Sequence, residues 1–358
     1  MNRDQYVQWF TDGRNQAWLD QPNISADPNT APHTINDPNS RRSLYPSANT
    51  LYSIPDGQNG FKYNFLDPKS VAQMPDNNWQ DLLFRSAKMQ QYEVSAMGGS
   101  EKTKYAFSGS YMKQDGISLN TDYQRFNFRN NIESQISKRF KVGLNLNAYN
   151  ASGNEQVNGK YSPIQFALQL PPIFELRNPD GTYGSMVRNP EVFAGDVASP
   201  IGVAELVKTF RKRYGWLGTM YGELELLDNL KYRININGSI QDNILEDYEP
   251  SNVDLDGSKA PRPARAFNER FTEYDWVIEQ TLSYNKMIAQ KHDLSLLAGF
   301  SSQKHNNDYM YGEARGFPND NIQTLNAGTM YQLTNTKSAY SMISYFGRAN
   351  YTFNNRYL

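Results

Sequence analysis

The chain has 358 residues, with 36 Lys+Arg against 37 Asp+Glu, and this balance carries no electrostatic footprint of a nucleic-acid binder. There is no Cys, which excludes disulfides, thiolate metal sites and thiol catalysis, and aromatics reach 13% although the hydrophobic fraction is only 38%. No stretch approaches the roughly 18 apolar residues of a transmembrane helix. That excludes an α-helical membrane protein but leaves open membrane-spanning β-strands, whose alternating residues average out as hydrophilic.

In chain order, residues 1–20 predict a short amphipathic helix, with Tyr6, Val7 and Phe10 at helical spacing. From Gln21 to Asn78 the chain is rich in Pro, Asn, Asp and Ser, and predicts a long irregular segment. Beyond Gln90 the texture becomes alternating. Phe126, Phe128, Ile132 and Ile136 share one face, opposite Arg125, Asn127, Arg129, Asn131, Glu133 and Gln135. Phe140, Val142, Leu144, Leu146 and Ala148 repeat the pattern, as do Tyr232, Ile234, Ile236 and Ile240. Weaker versions occupy about 90–98, 103–113, 213–226, 270–285, 292–304 and 338–353. Nine strands are expected, several of them longer than the soluble norm of ~5–6 residues.

The connections alternate in length. Short turns fall at 98–102, 137–139, 227–229 and 286–291, and longer loops at 114–122, 150–212, 243–269 and 305–337. In an antiparallel meander this gathers every turn at one end and every loop at the other, the asymmetry of an outer-membrane barrel. The expected fold class is therefore all-β, an antiparallel transmembrane β-barrel segment of about nine strands plus the start of a tenth near Asn355. Since a sheet spans hydrocarbon only as a closed barrel, nine strands imply more wall than this chain holds. The N-terminus has no apolar signal core and the C-terminus stops as a strand begins, so both ends read as cut. Aromatics at strand ends (Tyr105, Tyr111, Tyr123, Tyr149, Tyr214, Trp216, Tyr232, Trp276, Tyr284, Tyr351) are expected to form interfacial girdles.

Little in the sequence suggests catalysis. His33, His292 and His305 stand in no metal-ligand spacing, and no phosphate loop, nucleophile elbow or zinc-protease helix occurs. Asn252 to Gly257 imitates half a calcium loop, but Pro263 holds the position of the bidentate Glu, so a polar surface loop is expected. Asn178-Pro179-Asp180-Gly181 reads as a turn. No catalytic, cofactor or metal site is assigned, and the substrate-binding residues are unknown. The loop aromatics Tyr161, Phe166, Phe174, Tyr183, Phe193, Tyr248, Phe267, Tyr309, Tyr311 and Phe317 are where substrate or a lid would touch, unless they pack the loops together.

Several spaced motifs occur together. They are Asn78-Trp79-Gln80-Asp81-Leu82-Leu83-Phe84, Gly98-Gly99-Ser100-Glu101-Lys102-Thr103 with Tyr105 and Tyr111, and Gln114-Asp115-Gly116-Ile117. Arg129-Asn130-Asn131, Phe140-Lys141-Val142-Gly143, Pro171-Pro172 and Gly347-Arg348-Ala349-Asn350-Tyr351 follow in order. This set resembles the SusC/RagA-type TonB-linked outer-membrane protein family (TonB-dependent receptors) over essentially the whole chain. The resemblance implies a plugged barrel of roughly 22 strands. Residues 1–89 would be a post-plug extracellular helix and irregular segment, and 90–358 a partial barrel. It further implies a non-enzymatic importer of glycans or peptides in the Gram-negative outer membrane, powered by TonB and capped by a SusD-like surface lipoprotein. This stretch alone would not be transport-competent, and without detergent it would be insoluble. A passive barrel or surface adhesin, and a secreted β-rich binding module, are the alternative readings.

Overall fold

The computed structural model describes residues 1–19, 52–55, 61–156, 161–190, 192–193 and 195–354. Helix α1 (Arg3–Leu19) opens with a reciprocal cap: the Gln5 amide donates to Asn2 Oδ1 at 2.9 Å and the Asn2 amide to Gln5 Oε1 at 3.1 Å. Val7 is buried, with Tyr6 and Phe10 packed beside the same core, as their spacing predicts.

The proline-rich stretch is only partly irregular. Residues 20–51 lie outside the described set, but strands β1 (Ser53–Pro55) and β2 (Phe61–Asn64) pair antiparallel, and a helix spans Pro68–Gln73. The prolines misled the sequence reading because a proline in the first turn starts a helix rather than breaking it. Asp67 caps Pro68–Gln73, Ser162 caps Pro163–Gln169 and Ser199 caps Pro200–Leu206, each through its side-chain oxygen. Asn78 does the same for Trp79–Leu83.

The nine expected strands are present in one sheet: β3 (Met89–Gly99), β4 (Thr103–Asp115), β5 (Asp122–Ser137), β6 (Phe140–Glu155), β7 (Lys208–Leu227), β8 (Leu230–Glu249), β9 (Arg265–Ile288), β10 (His292–Arg315) and β11 (Thr329–Phe353). Each is antiparallel to its sequence neighbours, a pure meander. The tenth strand expected at Asn355 lies outside the described residues.

Most strands exceed the sequence reading, chiefly at the long-loop end. β9 and β10 have 24 residues each and β11 has 25. At ~3.3 Å per residue and a tilt of roughly 40°, 24 residues rise on the order of 60 Å, well over twice a bilayer's apolar band. The added segments, such as Asn306-Asn307-Asp308 and Thr334-Asn335-Thr336-Lys337, are polar on both faces. Alternation is written only where one face meets lipid, so periodicity cannot see strand that stands clear of the membrane.

The turn end explains one motif. Gly98-Gly99-Ser100-Glu101-Lys102-Thr103 closes β3 onto β4: the Ser100 amide donates to the Thr103 carbonyl at 2.7 Å, and Ser100 Oγ accepts from the Lys102 and Thr103 amides. A Cβ on Gly99 would stand 2.4 Å from the Thr103 carbonyl oxygen, so only glycine fits. Gly143 similarly leaves room for the Tyr221 ring, which lies 2.2 Å from where its Cβ would be.

Candidate functional site

Register separates the sheet into two faces. The row through Tyr105 runs Ile132, Leu144, Met220, Ile236, Ile278, Ser302, Ile343. Its face also carries Tyr111, Phe128, Trp216, Trp276, Leu282, Tyr345 and Tyr351, large apolar side chains left exposed. Of the ten expected girdle residues, eight lie on this face. Tyr123 and Tyr149 do not: they pair with Gln114 and Asn127 on the opposite, polar face, where Arg125 sits 5.1 Å over the Tyr149 ring.

The girdles do not follow the pairing rows. The row through Tyr105 reaches Ile236, Ile278 and Ile343, whereas the lower aromatics of those strands are Tyr232, Tyr284 and Tyr351, each nearer the turn end. The offset grows by roughly one residue per strand, the stagger that closes a tilted sheet into a barrel. Between girdles, from Trp216 to Leu224, Tyr232 to Ile240 and Trp276 to Tyr284, the strand rises on the order of 20 Å, near the height of an outer-membrane apolar band. Among the described residues, no Asp, Glu, Lys, Arg or His occupies the apolar face inside that band.

Above the band the loops build a cap with an ordinary buried core. It joins α1, the 53–84 region, 161–207 and the 253–255 segment. Trp79 is 3% exposed and its indole N–H donates to the Pro171 carbonyl at 2.9 Å. Asn77 ties on the same strap: its backbone amide donates to the Pro172 carbonyl (2.9 Å) and its side-chain Nδ2 to the Phe174 backbone carbonyl (2.7 Å). Two motifs distant in sequence, around Trp79 and Pro171-Pro172, thus form one joint. Tyr63 donates to Glu175 at 2.8 Å; burial, and then that carboxylate, push its phenol up to about 12.

The calcium-like loop is not a surface loop. Val253 and Leu255 are buried in the cap, and both Asp254 oxygens are engaged: by Arg188 Nε (2.7 Å) and Nη2 (2.9 Å), Ser185 Oγ (2.6 Å) and the Ala260 amide (2.7 Å). A guanidinium takes the place a cation would need. Among the described residues no group of His, Asp and Glu is disposed to hold a metal ion. His292 and His305 stand at different heights of β10, and His33 lies outside the described residues. The expected turn at Asn178–Gly181 is present, with Gly181 at φ +82° and the Gly181 amide donating to the Asn178 carbonyl.

The loop aromatics divide by role. Phe166, Phe174, Tyr183 and Phe193 are buried in the cap, with Tyr161 packed against it; Tyr248 and Phe317 meet edge-on at 5.4 Å in a second cluster. These seven pack loops together. In that cluster Asp320 accepts from Tyr248 (2.9 Å) and from the Ser251 amide and hydroxyl. Burial opposes its ionisation, but these donors outweigh burial and hold the carboxyl below its ordinary value.

The remaining three belong to β9 and β10, on the polar face. Phe267 and Tyr311 stack at 5.8 Å, with Tyr309 on the next position of that face. Above them Arg265 bridges Glu249 (3.0 Å) and Glu313 (3.0 Å), and Arg315 also reaches Glu313 (2.7 Å). Below them His305 meets Asp275 at 2.5 Å and stacks on Tyr340 at 4.9 Å. Glu269, Glu273 and Glu279 complete the face of β9. This wall of ring faces and carboxylates can stack flat apolar groups and accept hydrogen bonds from hydroxyl or ammonium donors. His305, Asp275 and Tyr340 were not readable as one group: they sit on three strands and meet only through register. A separate polar cleft of about 450 Å³ opens between Asn120, Glu205 and Lys208 at the loop end.

No protein-family model matches the chain. Against curated proteins it is 28% identical over 332 residues to TonB-dependent receptor P3 of Formosa agariphila, covering 89% of this chain and 32% of that protein. It is 24% identical over 321 residues to TonB-dependent receptor SusC of Bacteroides thetaiotaomicron, covering 79% and 29%. The chain therefore spans about a third of the length of these relatives. Among solved structures the RagAB peptide transporter superposes with a TM-score of 0.66 at 20% identity, covering 89% of this chain and 36% of that one. The open-open state of the RagAB peptide importer gives 0.65 at 18% identity, covering 96% and 37%. By its spaced motifs, its relatives and its fold, this chain is similar to TonB-dependent receptors of the SusC/RagA type, and its nine strands have the fold of consecutive strands in a barrel wall.

Proposed function

We propose that the chain is part of an outer-membrane transporter, with 90–358 as barrel wall and 1–89 joining the loops on the extracellular side. The observation that carries this reading is the charge-free apolar face between two aromatic girdles, backed by a polar face that would line the lumen. In this reading the remaining strands close a barrel of roughly 22, TonB supplies energy from the periplasm, and a SusD-like lipoprotein closes over the loop cap. The cargo is a glycan or a peptide taken up without chemical change. Support for a lumenal contact surface comes from Phe267, Tyr309, Tyr311, His305 and Tyr340, with the β9 carboxylates between them.

Deletion of the encoding gene tests the transport claim. Growth on one class of oligosaccharide or peptide should be lost, and restored by the intact gene but not by Y311A/Y340A at limiting substrate. Undiminished growth on every oligosaccharide and peptide supplied would overturn the importer reading and leave a passive barrel or adhesin.

A further inference from the structure

Immediately beyond the upper girdle the apolar face changes character. Lys113 follows Tyr111 on β4, Lys304 pairs with Trp276 across β9 and β10, and Lys212 stands beyond Tyr214 and Trp216 on β7; all three are exposed. Arg270 and Lys337 lie higher on the same face. On this face Asp242 is neutralised by Arg270 at 2.6 Å and Asp308 by Lys337 at 2.8 Å, while Asp115, Asp122 and Glu246 stand one position nearer the loop end than the lysines beside them. Among the described residues Lys113, Lys212 and Lys304 have no carboxylate partner; Lys212 overlies the Tyr214 ring at 5.9 Å. Three exposed lysines thus form an outward collar beyond the upper girdle, over a face that, among the described residues, holds no charge between the girdles.

We propose that this collar binds the phosphate groups of lipids in the outer leaflet, with Lys113, Lys212 and Lys304 as its ligands. The inference rests on the membrane-spanning reading of the sheet. Its position argues for the lipid: the collar is continuous with the lipid-facing band and points away from the lumen, so a soluble cargo would not pass it. Lysine ammonium groups at headgroup depth lie in low-dielectric surroundings, where attraction to a phosphate is screened less than in bulk water. The girdle tyrosines and tryptophans beneath hold the acyl boundary at that level.

The test uses the intact receptor in neutral detergent, titrated with bisphosphorylated lipid A or with its dephosphorylated form, and retained lipid is counted by native mass spectrometry. Wild type should retain the phosphorylated form, and K113Q/K212Q/K304Q should weaken it five- to ten-fold, while K286Q, an outward lysine beyond the lower girdle, should leave it unchanged. Equal retention by wild type and the triple variant would overturn the proposal, as would displacement by millimolar inorganic phosphate. Insertion into neutral phosphatidylcholine vesicles separates the two claims. If the triple variant inserts like wild type yet binds lipid A no less, only the collar falls; if wild type fails to insert, the membrane reading falls.

Discussion

The loop cap and the strand band of this chain obey opposite rules. In the cap, Leu83, Phe166, Ile173 and Leu255 are each at most 1% exposed, and the buried Asp254 has a donor on each carboxylate oxygen. In the band, Val94 at 77% and Tyr345 at 81% exposure point outward, while Asn235, Asn237 and Arg233 occupy the other face. The cap is stabilised by removing apolar surface from water, as any soluble core is. The band is stabilised by pairing every backbone group in hydrocarbon, with side chains matched to the solvent on each side. One chain therefore reads as two proteins, and the same substitution should have different consequences in each.

The largest effect is expected in the cap. Trp79→Ala removes a buried indole and orphans the Pro171 carbonyl, and should cost about 3–5 kcal/mol. Urea unfolding of the receptor in detergent should show an early transition of the cap, with the strands unaffected; a single unshifted transition would mean that cap and wall are one cooperative unit. Asp254→Asn is next, at about 3 kcal/mol, because Arg188 is left half-buried without its carboxylate. Proteolysis of the 250–264 loop is the readout, and resistance equal to wild type would show that the pair only decorates the loop.

The band gives the sharper contrast. Ile236→Arg, on the apolar face, should destabilise by about 2–3 kcal/mol in lipid, and Asn235→Arg, one residue away on the polar face, by less than about 0.5 kcal/mol. Equal costs would erase the distinction between the faces.

The smallest effect is a pH response at Asp320. Its folded pKa is depressed, so its contribution is complete above the ordinary aspartate value near ~3.9 and is lost as pH falls through the lower folded value. Cleavage within 316–328 should be constant from pH 7 to pH 5 and rise only below about pH 4. In Asp320→Asn it should be elevated and flat across the range.

How much of this was legible in sequence follows from the same contrast. The nine strands and the alternation of turns with loops were written in period two, because lipid on one side and water on the other force it. The strand tops were not, since Asn306 to Arg315 and Thr329 to Lys337 lie beyond the lipid-facing band and show no apolar–polar period. Tyr123 and Tyr149 were assigned to a girdle from strand-end position alone, and only pairing with Gln114 and Asn127 places them on the polar face. The calcium-like run was read as a polar surface loop because Pro263 denies it the bidentate Glu of a calcium site; the partner that buries Asp254, Arg188, lies 66 residues away. The aromatic and acidic patch of the polar face was half visible, in Phe267, Tyr309 and Tyr311, while the His305–Asp275–Tyr340 group needed three strands in register.

The absence of cysteine allows a direct test of the central claim, that one face of the sheet meets lipid between the girdles. Single cysteines placed in turn from 230 to 249 along β8 would carry spin labels in the receptor reconstituted into bilayers. Oxygen accessibility should peak at Tyr232, Ile234, Ile236, Gly238 and Ile240, a polar nickel chelate should reach the positions between them, and the alternation should fade beyond Asp242. Equal access of the chelate to both faces throughout would contradict a membrane wall and favour a secreted β-rich module.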